Sequence, residues 1–101
     1  MIAVITTTVA SKKEAKALGK KLLDKGHIVC ARVSKSISQY YWKGDYCEDP
    51  EYVLVMKTTV PKKKQVVKFI KRNHPYDIPM IIVNQSEINN SYLAWMELQL
   101  N

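Results

Sequence analysis

Between Ile28 and Thr59 the chain is patterned for β-structure almost without interruption, and the interruption falls at Gly44-Asp45. Ile28 to Val33 is rich in strand formers, alternation resumes at Ile37 and runs through Tyr40-Tyr41-Trp42, and Tyr52-Val53-Leu54-Val55-Met56-Lys57-Thr58-Thr59 follows beyond the glycine. β-branched and aromatic residues suit a pleated, half-buried surface, and a glycine between two such runs marks the reversal of a hairpin. The arms are predicted to be far longer than the roughly 5 to 6 residues of an average strand. Pro50 has no N–H for a ladder, so the return arm is expected to show an edge or a bulge around Asp49.

The flanking segments fix the context of this hairpin. Ile2 to Thr8 is apolar and β-branched, the composition of a buried strand. Ser11-Lys12-Lys13-Glu14 then matches a capping box, in which hydroxyl and carboxylate satisfy free backbone N–H groups at a helix start. Ala15, Leu18 and Leu22, with Leu23 beside them, recur at three- and four-residue spacing, and Gly26 supplies a left-handed end. A second helix opens near Pro61, buries Val66, Phe69 and Ile70, and stops at Pro75. Met80 to Val83 reads as a short final core strand, and Ser91 is placed to cap a terminal helical segment carrying Tyr92, Leu93, Trp95, Met96 and Leu100.

The order is β-α-β-β-α-β plus a tail, which makes the chain α+β and ferredoxin-like, one unit over residues 1–101. Right-handed crossovers then place both helices on one face of an antiparallel sheet. The opposite face has nothing of its own to cover it, and a closed homo-oligomer is the usual remedy. The overlong hairpin is expected to reach a neighbouring subunit.

Composition narrows the function. No apolar run approaches the roughly 20 residues that cross a bilayer, and the first residues show no basic leader, so the expected address is the cytoplasm with no membrane partner. Cys30 and Cys47 are too few for a disulfide framework and are read as free thiols. The net charge of +7 is unevenly placed: residues 11–26 and 61–73 together carry +10, and the remainder carries −3. Lysines on two outer helix faces without interleaved aromatics lack the stacking platform of a single-strand binder, so the charge is read as a solvated face and not as a nucleic-acid site. There is no Gly-rich phosphate loop, GxSxG, HExxH or paired-carboxylate motif, and the chain is read as non-enzymatic.

One short stretch concentrates chemistry: Asn73-His74-Pro75-Tyr76-Asp77-Ile78-Pro79, where two prolines stiffen the backbone around a histidine, a tyrosine and a carboxylate. His74 and Tyr76 are expected to line any site. Lys57 ends an apolar strand, either snorkelling to the surface or paired in a cleft with an acid such as Asp77. Tyr41, Trp42, Tyr76, Tyr92 and Trp95 serve either as a pocket for a planar ligand or as core and interface anchors. Cys30 is read as a buried thiol unless Lys57 or Arg32 turns it into a reactive or metal-competent thiolate. Cys47, beside Glu48 and Asp49, is read as a lone thiol near the hairpin tip, with weak metal binding by the three residues as the alternative.

Tyr40-Tyr41-Trp42-Lys43-Gly44, Val55-Met56-Lys57-Thr58-Thr59, His74-Pro75-Tyr76-Asp77-Ile78-Pro79 and Tyr92-Leu93-Ala94-Trp95, in this order and spacing, resemble the CutA divalent-cation tolerance proteins over nearly the whole chain. The resemblance implies a PII-like homotrimer of ferredoxin-like subunits with a role in tolerance to copper and other divalent cations. It also implies a copper site from a cysteine late in the first strand and a His-His pair before the Pro-Tyr. Those positions hold Thr7, Asn73 and His74 here, so only His74 keeps the ligand type. The resulting expectation is a metal ion, with His74 and Cys30 as candidate ligands, or a small ligand, in clefts between subunits lined by Trp42, Lys57, Tyr76, Asp77, Tyr92 and Trp95. A PII-like small-molecule sensor, or a trimeric scaffold without a metal, is the alternative.

Overall fold

The computed structural model describes residues 1–100. Strand β1 (Ile2–Val9) leads into helix α1 (Lys12–Asp24), and β2 (Cys30–Trp42) and β3 (Asp45–Thr59) make the long hairpin. A 3₁₀ turn over Val60–Lys62 opens helix α2 (Lys63–Asn73), and β4 (Ile81–Ser86) and α3 (Asn90–Gln99) follow. The sheet order is β2-β3-β1-β4, with each neighbouring pair antiparallel. This is the expected ferredoxin-like βαββαβ topology with a helical tail.

The boundaries follow local chemistry. Ser11 Oγ accepts the Glu14 N–H at 3.1 Å, and its hydroxyl donates to Glu14 Oε2 at 3.1 Å. At the far end of α1, Gly26 adopts φ 69° while its N–H bonds Leu23 O and the His27 N–H bonds Leu22 O, the paired contacts of a Schellman ending. The hairpin reverses through Lys43 (φ 51°) and Gly44 (φ 85°), two left-handed residues in succession, whose twist matches that of the arms.

Strand alternation divides the sheet into two faces. Ala3, Ile5, Thr7 and Val9 of β1 are buried beneath the helices, and register sets Ile5 opposite Met56 and Thr7 opposite Leu54. Leu18, Leu22, Val66 and Ile70 close this core from the helix side, with Phe69 packed at its margin. Each such aliphatic side chain contributes about 1.5–3 kcal/mol through burial. On the other face Val4, Thr6, Thr8, Val53, Val55 and Lys57 remain only half-buried.

Of the edge or bulge expected around Asp49 the structure shows the edge, and two other expectations, the core character of the last strand and the cap of α3, are corrected. β3 carries no bulge at Asp49, because its register with β2 runs one to one from Cys30↔Lys57 to Trp42↔Asp45. β1 stops opposite Tyr52, so Pro50 lies where β3 has a partner on one side only and a missing N–H disrupts nothing there. The last strand is an exposed edge rather than core, running from Ile81 with Ile82 43% and Val83 39% exposed. Asn89, in extended conformation, caps α3 in place of Ser91, which sits in the first turn and accepts a hydrogen bond from Asn89 Nδ2 at 2.9 Å.

Candidate functional site

Pro75 forces its predecessor out of the helical region, and His74 ends α2 with φ −79° and ψ 133°. That turn aims the imidazole back at β1. Nδ1 accepts the Tyr76 backbone N–H at 3.1 Å, and Nε2 lies 2.9 Å from Thr8 O and 3.1 Å from Thr7 Oγ1. A backbone N–H only donates, so Nδ1 carries no proton and Nε2 carries it. The Thr7 hydroxyl in turn donates to Met80 O at 2.7 Å, which ties the proline loop to the strand at both its ends. Both ring nitrogens of His74 are engaged.

Tyr76 stands edge-on to His74, with centroids 4.8 Å apart, and its hydroxyl donates to Glu51 Oε2 at 2.9 Å. Burial and this carboxylate push the tyrosine hydroxyl well above its ordinary value, so it stays a neutral donor. Asn73, where the resemblance implies a second histidine, bonds the α2 carbonyl of Phe69 through Nδ2 at 2.9 Å.

Cys30 belongs to the other side of the sheet. Register places it opposite Lys57, which lies opposite Val4, and its Sγ is 3.9 Å from Lys57 Nζ. Lys57 therefore meets a thiol; among the described residues it forms no ion pair with Asp77, which is exposed. Thr7 and His74 lie on the helix face and Cys30 on the open face, so one chain does not bring the two candidate metal ligands to a common ion. No group of three or more His, Cys, Asp or Glu side chains is arranged to hold a metal among the described residues. The donors present in one chain thus do not fit a closed metal centre.

The aromatic candidates are similarly spread. Trp42 is 44% exposed at the hairpin turn, twelve β2 positions from Cys30, or about 40 Å of extended chain. Tyr92 and Trp95 pack against each other on α3 with centroids 5.3 Å apart and ring planes inclined by 53°. A different pattern occupies the arm: Tyr40 donates to Asp49 at 2.7 Å, and Tyr46 donates to Glu48 at 2.8 Å. The Asp49 contact pushes the Tyr40 hydroxyl up to about 12. Sequence reasoning missed Glu51 as the partner of Tyr76, and the 25 positions between them give no spacing signal. It also missed a groove of about 560 Å³ between α2 and the edge strand β4, lined by Lys63, Lys64, Lys68, Lys71 and Arg72 over Val67 and Val83.

The family model for the CutA1 divalent ion tolerance protein matches residues 3–99. The chain belongs to this family. A divalent-cation tolerance protein CutA from Thermotoga maritima is 31% identical over 94 residues, covering 92% of the chain and 93% of that relative. One from Thermococcus kodakarensis is 34% identical over 94 residues, covering 92% and 90%. Among solved structures, CutA1 from Pyrococcus horikoshii superposes with a TM-score of 0.94 at 31% identity, over 100% of this chain and 99% of that one. A CutA from Archaeoglobus fulgidus, described as periplasmic, gives 0.94 at 26% identity over 100% of both chains. Among the described residues of this CutA-family chain no helix is long and apolar enough to cross a membrane.

Proposed function

We propose that the chain assembles as a homotrimer that contributes to divalent-cation tolerance, copper foremost, by binding a metal ion or a small ligand in clefts between subunits. The observation that carries this reading is the amount of apolar surface that one chain leaves uncovered. Ile37 is 69% and Tyr41 75% exposed on the arm, with Trp42, Tyr46 and Trp95 also open to solvent. Tyr41 and Tyr46 adjoin with ring centroids 5.8 Å apart, and exposed apolar surface that gathers in this way marks an interface. Membership of the divalent-ion tolerance family supports the functional half of the reading. The cytoplasm suits the two free thiols, Cys30 and Cys47.

Within this reading Cys30 and Lys57 face the side of the sheet that a neighbour covers, and Trp42 at the arm tip is carried to a neighbouring subunit. His74, Tyr76 and Asp77, with Tyr92 and Trp95, supply the remaining cleft walls. Engagement of both His74 nitrogens favours the second reading, in which the trimer serves as a scaffold or small-ligand sensor and the metal is peripheral. Titration with Cu(II), Zn(II) and Cu(I) of the native protein, His74→Ala and Cys30→Ala, alongside light scattering, separates the two. Binding that weakens in a variant supports the metal reading. Equal, negligible affinity in all three proteins removes it, and a single-chain mass for the native protein removes the trimer.

A further inference from the structure

Lys57 is a half-buried ammonium in the body of the sheet, and the chain gives it no counter-ion. Its Nζ meets Cys30 Sγ at 3.9 Å, a weak acceptor for a charge. Register sets a second cation beside it. Cys30 lies opposite Lys57 and Arg32 opposite Val55, so Arg32 and Lys57 share the open face as diagonal neighbours, about 7–8 Å apart at the backbone. Among the described residues the one ion pair is Lys20–Asp24, so neither cation is paired with a carboxylate. The strands around them hold no replacement: β1, β2 and β4 contain no acidic residue. The nearest carboxylate along β3, Glu51, is six positions from Lys57, about 20 Å of extended strand, and it accepts the Tyr76 hydroxyl. Glu97, the acidic residue of α3, pairs with neither cation.

Neutral groups complete the patch. Val4 stands between Lys57 and Asn84 of β4 in one row across the sheet, and Val55 stands between Arg32 and Thr6 in the next. Thr6 is thereby a diagonal neighbour of Lys57 on the side away from Cys30. Two positive charges, a hydroxyl and an amide thus share one face over valine side chains, with no negative charge among them. Val4, Thr6, Val55 and Lys57 are half-buried in one chain, so water still reaches the ammonium there. A neighbour that covered this face would take that water away, and an ion removed from water without an opposite charge is strongly unfavourable.

Resting on the reading of ligand clefts between subunits, we infer that the Lys57–Arg32 patch takes an oxyanion, a small molecule bearing carboxylate or phosphate groups, which supplies the missing negative charge. The planar guanidinium of Arg32 suits two oxygens of one such group, and Lys57 adds a point charge that a second oxygen or a second group can reach. Thr6 and Asn84 offer neutral donors at the margin. The same two cations repel a metal ion from Cys30, so this patch belongs to the small-ligand form of the proposed function.

Calorimetric titration of the full-length protein with pyrophosphate and with citrate, at one pH and with sodium chloride holding the ionic strength constant, tests the inference. Light scattering on the same samples gives the mass. At least one of the two anions should bind the native trimer, and Lys57→Met and Arg32→Gln should each weaken that binding by about tenfold, the loss of one charge-assisted contact. Lys68→Gln with Arg72→Gln, on α2 and away from the patch, should leave it unchanged. Tighter binding of pyrophosphate assigns the phosphate class, and tighter binding of citrate the carboxylate class. Circular dichroism monitors the fold of each variant, and the exposed Arg32 gives a variant that disturbs no core should Lys57→Met fail to fold. A trimer that binds neither anion, binds them equally well in Lys57→Met and Arg32→Gln, or loses binding only with the α2 pair overturns the inference and leaves the trimer standing. A native protein that is a single chain at all concentrations removes the trimer reading and the enclosed patch together.

Discussion

His74 is the side chain whose removal most directly tests how the proline loop is held. His74→Ala deletes the acceptor of the Tyr76 N–H, the donor to Thr8 O and Thr7 Oγ1, and the ring contact with Tyr76. A net hydrogen bond contributes about 1 kcal/mol, and a buried group left unpaired costs about 1–3 kcal/mol. The edge-on ring contact adds about 0.5–1.5 kcal/mol. His74 is half-buried, so water reaches part of the gap and the total settles near 2 kcal/mol. For a domain of this size that lowers Tm by about 10 °C. Thermal and urea unfolding followed by circular dichroism, at one fixed protein concentration because self-association, where it occurs, shifts a midpoint, give the value. Asn73→Ala is the control: it loses only an exposed bond to Phe69 O and should fall within about 0.5 kcal/mol of native. A His74→Ala protein as stable as the control, or nitrogen NMR showing the proton on Nδ1, would refute the clamp.

Two further outcomes follow from the packing of α1. Burial, reinforced by the Lys62 and Lys25 ammonium groups, holds His27 below its ordinary 6.5, and its Nδ1 is buried with no hydrogen-bond partner among the described residues. The neutral form is therefore favoured on folding, and that contribution, present above 6.5, is lost as pH falls through the folded value. Urea midpoints measured from about pH 7 down to about pH 5 should drop less steeply for His27→Asn than for the native protein. A Cβ at Gly19 would lie 3.0 Å from Ala31 Cβ and 3.6 Å from Leu54 Cδ1, so Gly19→Leu should wedge α1 from the sheet. Overpacking of about 1–3 kcal/mol outweighs the gain of about 1 kcal/mol in helix propensity, and the urea midpoint should fall.

The elements that were legible in the sequence are those whose causes lie within a few residues. Ser11 and Glu14 meet across three positions, and Gly26 closes α1 because the Schellman geometry needs a left-handed residue one step past the cap. Gly44 announced the reversal, although Lys43 shares the left-handed conformation without a compositional sign of it. Asn89 and Ser91 are both capable caps two positions apart, and only the backbone, extended at Asn89, decides between them. The candidate site was less legible because its contacts are distant in sequence. His74 meets Thr7 across 67 positions, and whether Lys57 faces Cys30 or Asp77 depends on the register of β2 against β3. Composition limits which residues can pair; register and loop direction determine which of them do.

The same register argument bears on the metal and on the shape of the molecule. A sheet buried on one face and half-open on the other separates its functional residues by parity: His74 is bound into the helix side, while Cys30 and Lys57 look out from the open side. An ion that touched Cys30 would therefore draw its other ligands from another copy or from solvent, and an ion that touched His74 would first have to displace Thr8 O or the Tyr76 N–H. The chain measures 47 Å along its longest axis against 24 and 21 Å across. A two-stranded arm beyond the body of the sheet is marginal in water by itself. Its cross-strand bonds, Tyr40 to Asp49 and Gln39 to Tyr46, are exposed and contribute little each, so covering the arm in the trimer proposed above would stabilise the form that it has.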